Sequence, residues 1–430
     1  MSHRLVAIAL AILALPAAAQ TLDERVAREL PNLVDTYRTL HAMPELSGQE
    51  VKTSAFVAQR LRALGYDVTE KFGRYREPNM TCYGVVAVMK NGDGPVVLVR
   101  SDMDALPVAE QTGLPYASQN AGVMHACGHD VHMTTLLGTA RLLADLKSQW
   151  RGTVMLIGQP AEEIVRGAEG MLAAGLYERF GKPDYAIALH DWASLEVGKV
   201  GYRPGQIMAA TDSVNVTVRG VGGHGAAPQT TKDPVVMAAE TIVALQTITS
   251  RERSPLDPVV VTVGKIEGGT KRNIIPDEVR LFLTVRTTKA DVRDRVLESI
   301  QRIPRGIAMM HGVPEDRAPV YEHLDAESVA ATYNDPPLTE RLTAAIGREL
   351  GADNVVLIDP AMVSEDFGLF GQNGKIPTAL FTIGAGDPTK IASGTQPGLH
   401  SSKFAPADPE RVVRVGVRTA VAAVVSLMAK

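Results

Sequence analysis

The chain has 430 residues, beyond the roughly 250 to 300 at which one hydrophobic core stops growing, so more than one domain is expected. Hydrophobic residues make up 45% and charged residues 21%, while 38 glycines and 26 prolines are spread without a repeat, which excludes disorder, collagen and coiled coil. Lys and Arg number 44 against 48 Asp and Glu, a net charge of −4 with no cationic block, so the sequence offers no track for a nucleic-acid backbone.

The first element in chain order is a leader. Arg4 precedes an apolar run at 5–15 and the small residues Ala17, Ala18 and Ala19, the order of a secretory signal and its cleavage site. The run is well short of the roughly 20 residues that span a bilayer, so residues 1–19 are expected to be removed from an exported protein, periplasmic or secreted, with no membrane span. Two cysteines occur, Cys82 and Cys127, and an oxidising compartment leaves a disulfide between them open.

Helical patterning runs from 21 to about 64, broken at Pro44, with its second helix beginning near Gly48 and stopping at Gly65. Short runs rich in Val, Ile and Leu follow at 84–89, 96–99, 154–157 and 186–189. Between the second and third, Met133, Leu136, Leu137, Ala140 and Leu143 share one helical face. Strands separated by helices of this length predict a largely parallel sheet covered on both sides, an α/β domain.

After Gly205 the order becomes strand (213–218), helix (234–248), two strands (259–266 and 279–285), helix (290–303) and a closing strand near Val320. That is the ferredoxin-like α+β plan. It reads as a domain inserted at 209–320, and the α/β rhythm resumes with strands at 355–358 and 378–383 and a helix after Pro409. The catalytic domain is therefore expected to be discontinuous, built from 20–208 and 321–430.

Residues able to bind metal or move protons gather after the predicted strands: Asp102 and Asp104, Glu162 and Glu163, and His190. Ligands of open α/β sheets bind outside the carboxyl ends of strands, so these groups are expected to share one crevice. The segment Met124-His125-Ala126-Cys127-Gly128-His129-Asp130 puts a thiolate and an imidazole two residues apart, with glycine between them for a tight turn. Adjacent Glu162 and Glu163 end an apolar strand, where like charges gain from a divalent metal: one carboxylate coordinates and its neighbour takes a proton from water. Asp104 would orient a ligand from behind.

These motifs, with Gln159-Pro160-Ala161-Glu162-Glu163, Gly223-His224-Gly225-Ala226-Ala227-Pro228 and Ser364-Glu365-Asp366-Phe367, resemble the amidohydrolase branch of the aminoacylase/carboxypeptidase metallopeptidases. Hippurate hydrolases, N-acetyldiaminopimelate deacetylases and auxin-conjugate hydrolases belong to that branch, and the resemblance covers nearly the whole chain after the leader. It implies a metallopeptidase-like α/β catalytic domain with an inserted lid, and two divalent metal ions held by Cys127, His129, Glu163, His190 and His400, with Cys127 bridging. Mixed thiolate, imidazole and carboxylate donors suit Zn²⁺, and Mn²⁺, Co²⁺ or Ni²⁺ are compatible. The resemblance further implies that Glu162 is the general base, that His224 polarises the scissile carbonyl, often across a dimer interface, and that Asn273 contacts substrate. Two departures from the family pattern, Gln229 after Pro228 and Val363 before Ser364, touch substrate contacts.

The expected activity is hydrolysis of small-molecule N-acyl amino acids by a homodimer. Alternatives are a metallocarboxypeptidase or dipeptidase using the same centre, an exported binding protein for amino-acid conjugates, and a cysteine hydrolase with Cys127 as nucleophile. His41, His125 and His132 read as packing or supporting groups, and His311 and His323 as surface residues without partners.

Overall fold

The computed structural model describes residues 20–429, so the leader lies outside the described residues. In chain order the elements are α1 (Leu22–Ala42), α2 (Val51–Ala63), β1 (Asp67–Thr69), β2 (Val85–Asn91), β3 (Val96–Asp102), α3 (His129–Asp145), β4 (Gly152–Gln159), α4 (Gly167–Ala173), α5 (Leu176–Phe180) and β5 (Tyr185–Glu196). They continue with β6 (Val200–Tyr202), β7 (Gly205–Met208), β8 (Ala210–Arg219), β9 (Gly223–His224), α6 (Pro234–Arg251), β10 (Val259–Gly268), β11 (Ile274–Ile275), β12 (Glu278–Thr287) and α7 (Ala290–Met310). The last are β13 (Val320–His323), β14 (Thr332–Asn334), α8 (Pro336–Leu350), β15 (Val355–Leu357), β16 (Thr378–Gly386), α9 (Pro388–Ala392) and α10 (Pro409–Met428).

Eight strands form the larger sheet in the order β1-β2-β4-β3-β5-β16-β6-β15. Its core alternates as a two-sided sheet requires: Val97, Val99, Val154, Leu156 and Ile187 face one apolar cluster, and Leu98, Met155, Ile157 and Ala186 face another. Helices α1, α3 and α10 pack together over the first face. Thr21 opens α1 with a capping box to Glu24, and Asp408 caps α10 by accepting from Arg411 N–H. The sheet is mixed, which corrects the expectation of a largely parallel one: β4, β3, β5 and β16 run parallel, but β1 with β2, β2 with β4, and β6 with β16 are antiparallel. Strands buried on both faces read the same in either direction, so sequence does not separate the cases.

The second sheet has the order β10-β12-β8-β13, all antiparallel. With α6 and α7 packed together on one of its faces, this is the ferredoxin-like arrangement, and Val214, Val216, Val218, Leu281, Leu283 and Val285 supply its core. Small pairs β9 with β11 and β7 with β14 complete the strands. Among the described residues no helix is long and apolar enough to cross a membrane.

Helix α3 begins at His129, with Gly128 as its N-cap at φ +77°. A Cβ on Gly128 would lie 2.2 to 2.4 Å from the Asp191 carboxyl group, so this turn tolerates no side chain. Gly122 shares a φ of +78°, but a Cβ added there would meet nothing within 4 Å, which separates backbone strain from collision. In urea denaturation of the metal-free protein, Gly122→Ala is expected to cost about 1 kcal/mol and Gly128→Ala about 2 kcal/mol or more. Equal losses would mean that the Asp191 contact relaxes freely.

Candidate metal centre

Three parallel strands deliver the site. Asp102 ends β3, Glu162 and Glu163 sit three and four residues past the end of β4, and His190 lies in β5 two residues beyond its last pairing with β3. His190 was expected just past a strand, but β5 continues to Glu196 against β16 and keeps it inside the ladder. Cys127 and His129 flank the Gly128 turn at the start of α3. His400 comes from the loop before α10, at φ +65°, where its N–H donates to Ala126 O at 2.8 Å. That bond ties the two ligand loops together.

The five expected ligands converge. Cys127 Sγ is 3.2 Å from His400 Nε2 and 3.7 Å from His190 Nε2, and Glu163 Oε1 is 3.5 Å from His400 Nε2 and 3.9 Å from His129 Nε2. Separations of about 3 to 4 Å are those of donors sharing a cation at bonds of about 2.0 to 2.3 Å. His129 Nε2 and Glu163 Oε1 are buried without a hydrogen-bond partner, an arrangement that costs free energy unless something fills it. The donor set therefore fits a divalent metal.

Tautomers are set from behind. His129 Nδ1–H donates to the Asp104 carbonyl at 2.8 Å and His190 Nδ1–H to the Asp191 carbonyl at 2.7 Å, which leaves each Nε2 as the ligating atom. Asp104 does more than orient a histidine. Its Oδ1 accepts the Glu162 N–H and its Oδ2 the Glu163 N–H, each at 3.0 Å, and Ser47 Oγ donates to Oδ2 at 2.6 Å. Buried His132 donates through Nδ1 to Asp102 Oδ1 at 2.6 Å and accepts the Asp191 N–H at Nε2, 2.8 Å away. His41 bonds Asp130 at 2.6 Å, and His125 is buried with both ring nitrogens unpartnered.

Negative charge dominates the field. Arg100 is fully buried and meets Asp102 at 2.6 Å, Glu365 at 2.8 Å and Asp366 at 3.2 Å, while Glu162 lies beside Glu365 and Asp366. Burial, reinforced by Glu365 and Glu163, holds the Glu162 carboxyl well above the usual range, and burial raises Glu163 to about 7. Burial opposes a charge on His129, but Asp102, Asp104 and Glu163 together outweigh it and hold the imidazole at about 10 in the metal-free chain. Burial and then Glu163 push the Cys127 thiol up. Burial, with Asp104 nearby, brings the Glu50 carboxyl to about 8.

A cleft of about 820 Å³ opens over the site between the two sheets. Cys127, Glu162, Glu163, His190 and His400 line its floor, and Ser213, Thr284 and Arg286 line it from β8 and β12. Arg286 was not anticipated. It donates to Ser364 Oγ at 2.7 Å, and among the described residues it has no carboxylate partner. Its signal was the period-two alternation of 281–286, which puts Thr284 and Arg286 opposite the core positions Leu283 and Val285. Glu365 also lines the cleft, although its sequence motif alone assigns it no role.

Two expected site residues stay apart. His224 and Asn273 are exposed on the β9–β11 ribbon and do not line this cleft; Gly225 N–H donates to Asn273 O at 2.9 Å. His224 Nδ1 accepts the Ala226 N–H at 3.0 Å, so its neutral ring carries the proton on Nε2. Val363 lines the cleft, while Gln229 is exposed near the ribbon. Cys82 and Cys127 are both free and no disulfide joins them. His323 is not partnerless, since it bonds Asp212 at 2.7 Å and Asp325 at 2.6 Å, and His311 bonds Glu240 at 2.6 Å; β8 and α6, distant in sequence, supply Asp212 and Glu240.

The chain is similar to known proteins along most of its length. An N-acetyldiaminopimelate deacetylase of Limosilactobacillus fermentum is 36% identical over 365 residues, 84% of this chain and 91% of that protein. Thermostable carboxypeptidase 1 of Saccharolobus solfataricus is 35% identical over 374 residues, 86% of this chain and 90% of that one. The crystal structure of a dinuclear metal binding peptidase of the M20 family from Bacillus subtilis superposes with a TM-score of 0.76 at 30% identity, covering 93% of this chain and 99% of that chain. The model of peptidase family M20/M25/M40 matches residues 98–422, and the chain belongs to that family.

Proposed function

We propose that the chain is a metal-dependent amidohydrolase that cleaves the amide between an acyl group and an amino acid. The observation that carries this reading is the convergence of Cys127, His129, Glu163, His190 and His400, all but the fully buried His129 lining the floor of a cleft, with two of their ligating atoms buried and unpartnered. These five residues would hold a pair of divalent metals, with Zn²⁺ favoured by the thiolate. When bound, such metals supply the positive charge that activates a water and polarises the scissile carbonyl.

The chain's own residues account for the rest. Glu162 faces the cleft, and burial, with Glu365 and Glu163, raises its pKa, so that once ionised its carboxylate is a stronger base than a free one and suits a group that takes a proton from water and returns it to the leaving amine. Asp104 fixes the backbone of Glu162 and Glu163 through two N–H bonds. Arg286, without a carboxylate of its own, is placed to receive the substrate's free carboxylate, with Ser364 steadying its guanidinium. That preference for a terminal carboxylate is shared by acyl amino acids and by peptides. The carboxypeptidase among the relatives therefore keeps peptide cleavage as the second reading.

His224 would serve the cleft of a second copy. β10 is a free sheet edge with exposed Val260 and Ile266, and α6, packed against it, exposes Val236 and Val243, two turns apart on one face. An edge strand and an apolar helix face side by side support an isologous dimer that would carry each His224 toward the partner's site. The apolar segment at 5–15 supports export of the enzyme.

Amino-acid release from N-acetyl, N-benzoyl and dipeptide substrates, before chelation, after it and after metal is restored, tests the reading. Metal-dependent release from acyl conjugates is expected; release from dipeptides alone would favour the second reading. Glu162→Gln is expected to keep its metal and lose about 10²-fold or more in kcat, and retained turnover removes it as the base. Arg286→Met is expected to raise KM about tenfold or more with metal content unchanged. Mixing inactive His224→Ala with inactive Glu162→Gln should restore roughly a quarter of wild-type activity through hybrid dimers with one intact site. Absence of complementation would place His224 within its own subunit or outside the reaction.

A further inference from the structure

The turn after β4 is held from outside the α/β core. Ala161 adopts φ +52° and Val165 φ +57°, left-handed conformations unusual for residues with a side chain, and Glu162 and Glu163 sit between them. Three consecutive N–H groups are captured by two buried carboxylates: Ala161 by Glu50 Oε1 at 2.9 Å, and Glu162 and Glu163 by Asp104. Glu50 belongs to the connector between α1 and α2, far from the site in sequence. Its side chain is fully buried, its Oε1 also accepts the Gly48 N–H at 2.9 Å, and its Oε2 has no partner. The same connector reaches Asp104 through Ser47 Oγ at 2.6 Å, and its Glu45 carbonyl accepts the Ala105 N–H at 2.8 Å.

We propose that Glu50 is a positioning residue for the hydrolytic reaction, fixing the left-handed turn at Ala161 so that Glu162 and Glu163 present their carboxyl groups to the cleft. This rests on the reading of the site as hydrolytic. The role needs an acceptor oxygen at Oε1 and does not need a charge, because the bonds it makes are to backbone N–H groups. Buried carboxylates without such a task are rarely kept beside a second one, and Asp104 is that neighbour. A glutamine can supply the same oxygen, with its amide N–H₂ in place of the unpartnered Oε2. An aspartate withdraws the acceptor by one methylene while keeping the acid.

The test compares the full chain with Glu50→Asp, Glu50→Gln and Ser47→Ala. Four quantities are read: hydrogen exchange of the peptide covering 158–167 in the metal-free chain, metal bound per chain, kcat and KM. Glu50→Asp is expected to speed exchange at 161–163 about tenfold and to lower kcat about 10- to 100-fold, with KM and metal content within about twofold. Glu50→Gln is expected to stay within about threefold of wild type in all four. Unchanged exchange or unchanged kcat in Glu50→Asp, equal damage in Glu50→Gln, or a loss of kcat that tracks loss of metal would each overturn the proposal. Ser47→Ala leaves the fully buried acid in place and should raise exchange at 162–163 about threefold; no change there overturns the connector's role even where a Glu50 variant does not fold. Exchange reports on the turn without any substrate. A wild-type chain inactive on every substrate would sink the hydrolytic reading while the exchange arm still decides whether Glu50 holds the turn.

Discussion

A buried surplus of carboxylates at the carboxyl edge of the larger sheet is the constraint on which the structure depends. Arg100 is one guanidinium facing Asp102, Glu365 and Asp366, with Gln159 Oε1 accepting its Nε–H at 2.8 Å. It thereby ties β3, the end of β4 and the segment at 364–366 into one unit. Removing one partner of a buried ionic group of this kind typically costs about 3 to 5 kcal/mol, because the remaining charges lose their compensation. Even with Arg100 in place acidic groups outnumber it, since it hydrogen-bonds none of Glu162, Glu163 and Asp104. Histidines make up part of the difference, and a dication placed among the free Nε2 and Oε1 atoms would make up the rest.

The two sheets divide the work that follows from this. The larger one is packed on both faces and anchors the segments that carry the donors. The smaller one contributes no ligand. It sends Ser213, Thr284 and Arg286 into the cleft from the face opposite its helices, and it carries His224 on a ribbon outside that cleft. The converging metal-donor side chains and Arg286 thus sit on different layers, so the cleft wall from β8 and β12 can vary without disturbing the buried charge network.

Legibility in the sequence follows the same division. Core strands announce themselves as Val, Ile and Leu runs, and metal donors are rare enough in combination that Cys127, His129, Glu163 and His190 stand out. What tertiary contact decides was not readable. Strand direction depends on how connections travel: the short link at 92–95 turns the chain back between β2 and β3, and since β3 runs parallel to β4, β2 pairs with β4 antiparallel. Arg286 alternates like any solvent-facing strand residue, and only the opposing domain turns that face into a cleft wall. Glu50 reads as an ordinary acid before a helix until the fold buries it against Ala161. His224 and Asn273 were reached through resemblance, and both lie exposed outside the cleft.

Cys127 shows how the charge field selects among chemistries that one residue could serve. A nucleophilic thiolate is favoured by cationic surroundings, whereas here burial and the carboxyl groups of Glu163 and Glu162 keep the metal-free thiol protonated. The same surroundings that disfavour a free thiolate favour a divalent cation, and a cation inverts the local balance, because a coordinating thiol gives up its proton outright. Metal binding at this site is therefore coupled to proton release and weakens as pH falls. The carboxylates that rule out a cysteine hydrolase are the ones that make the thiol a metal ligand, so Cys127 and the surplus negative charge around it form a single device.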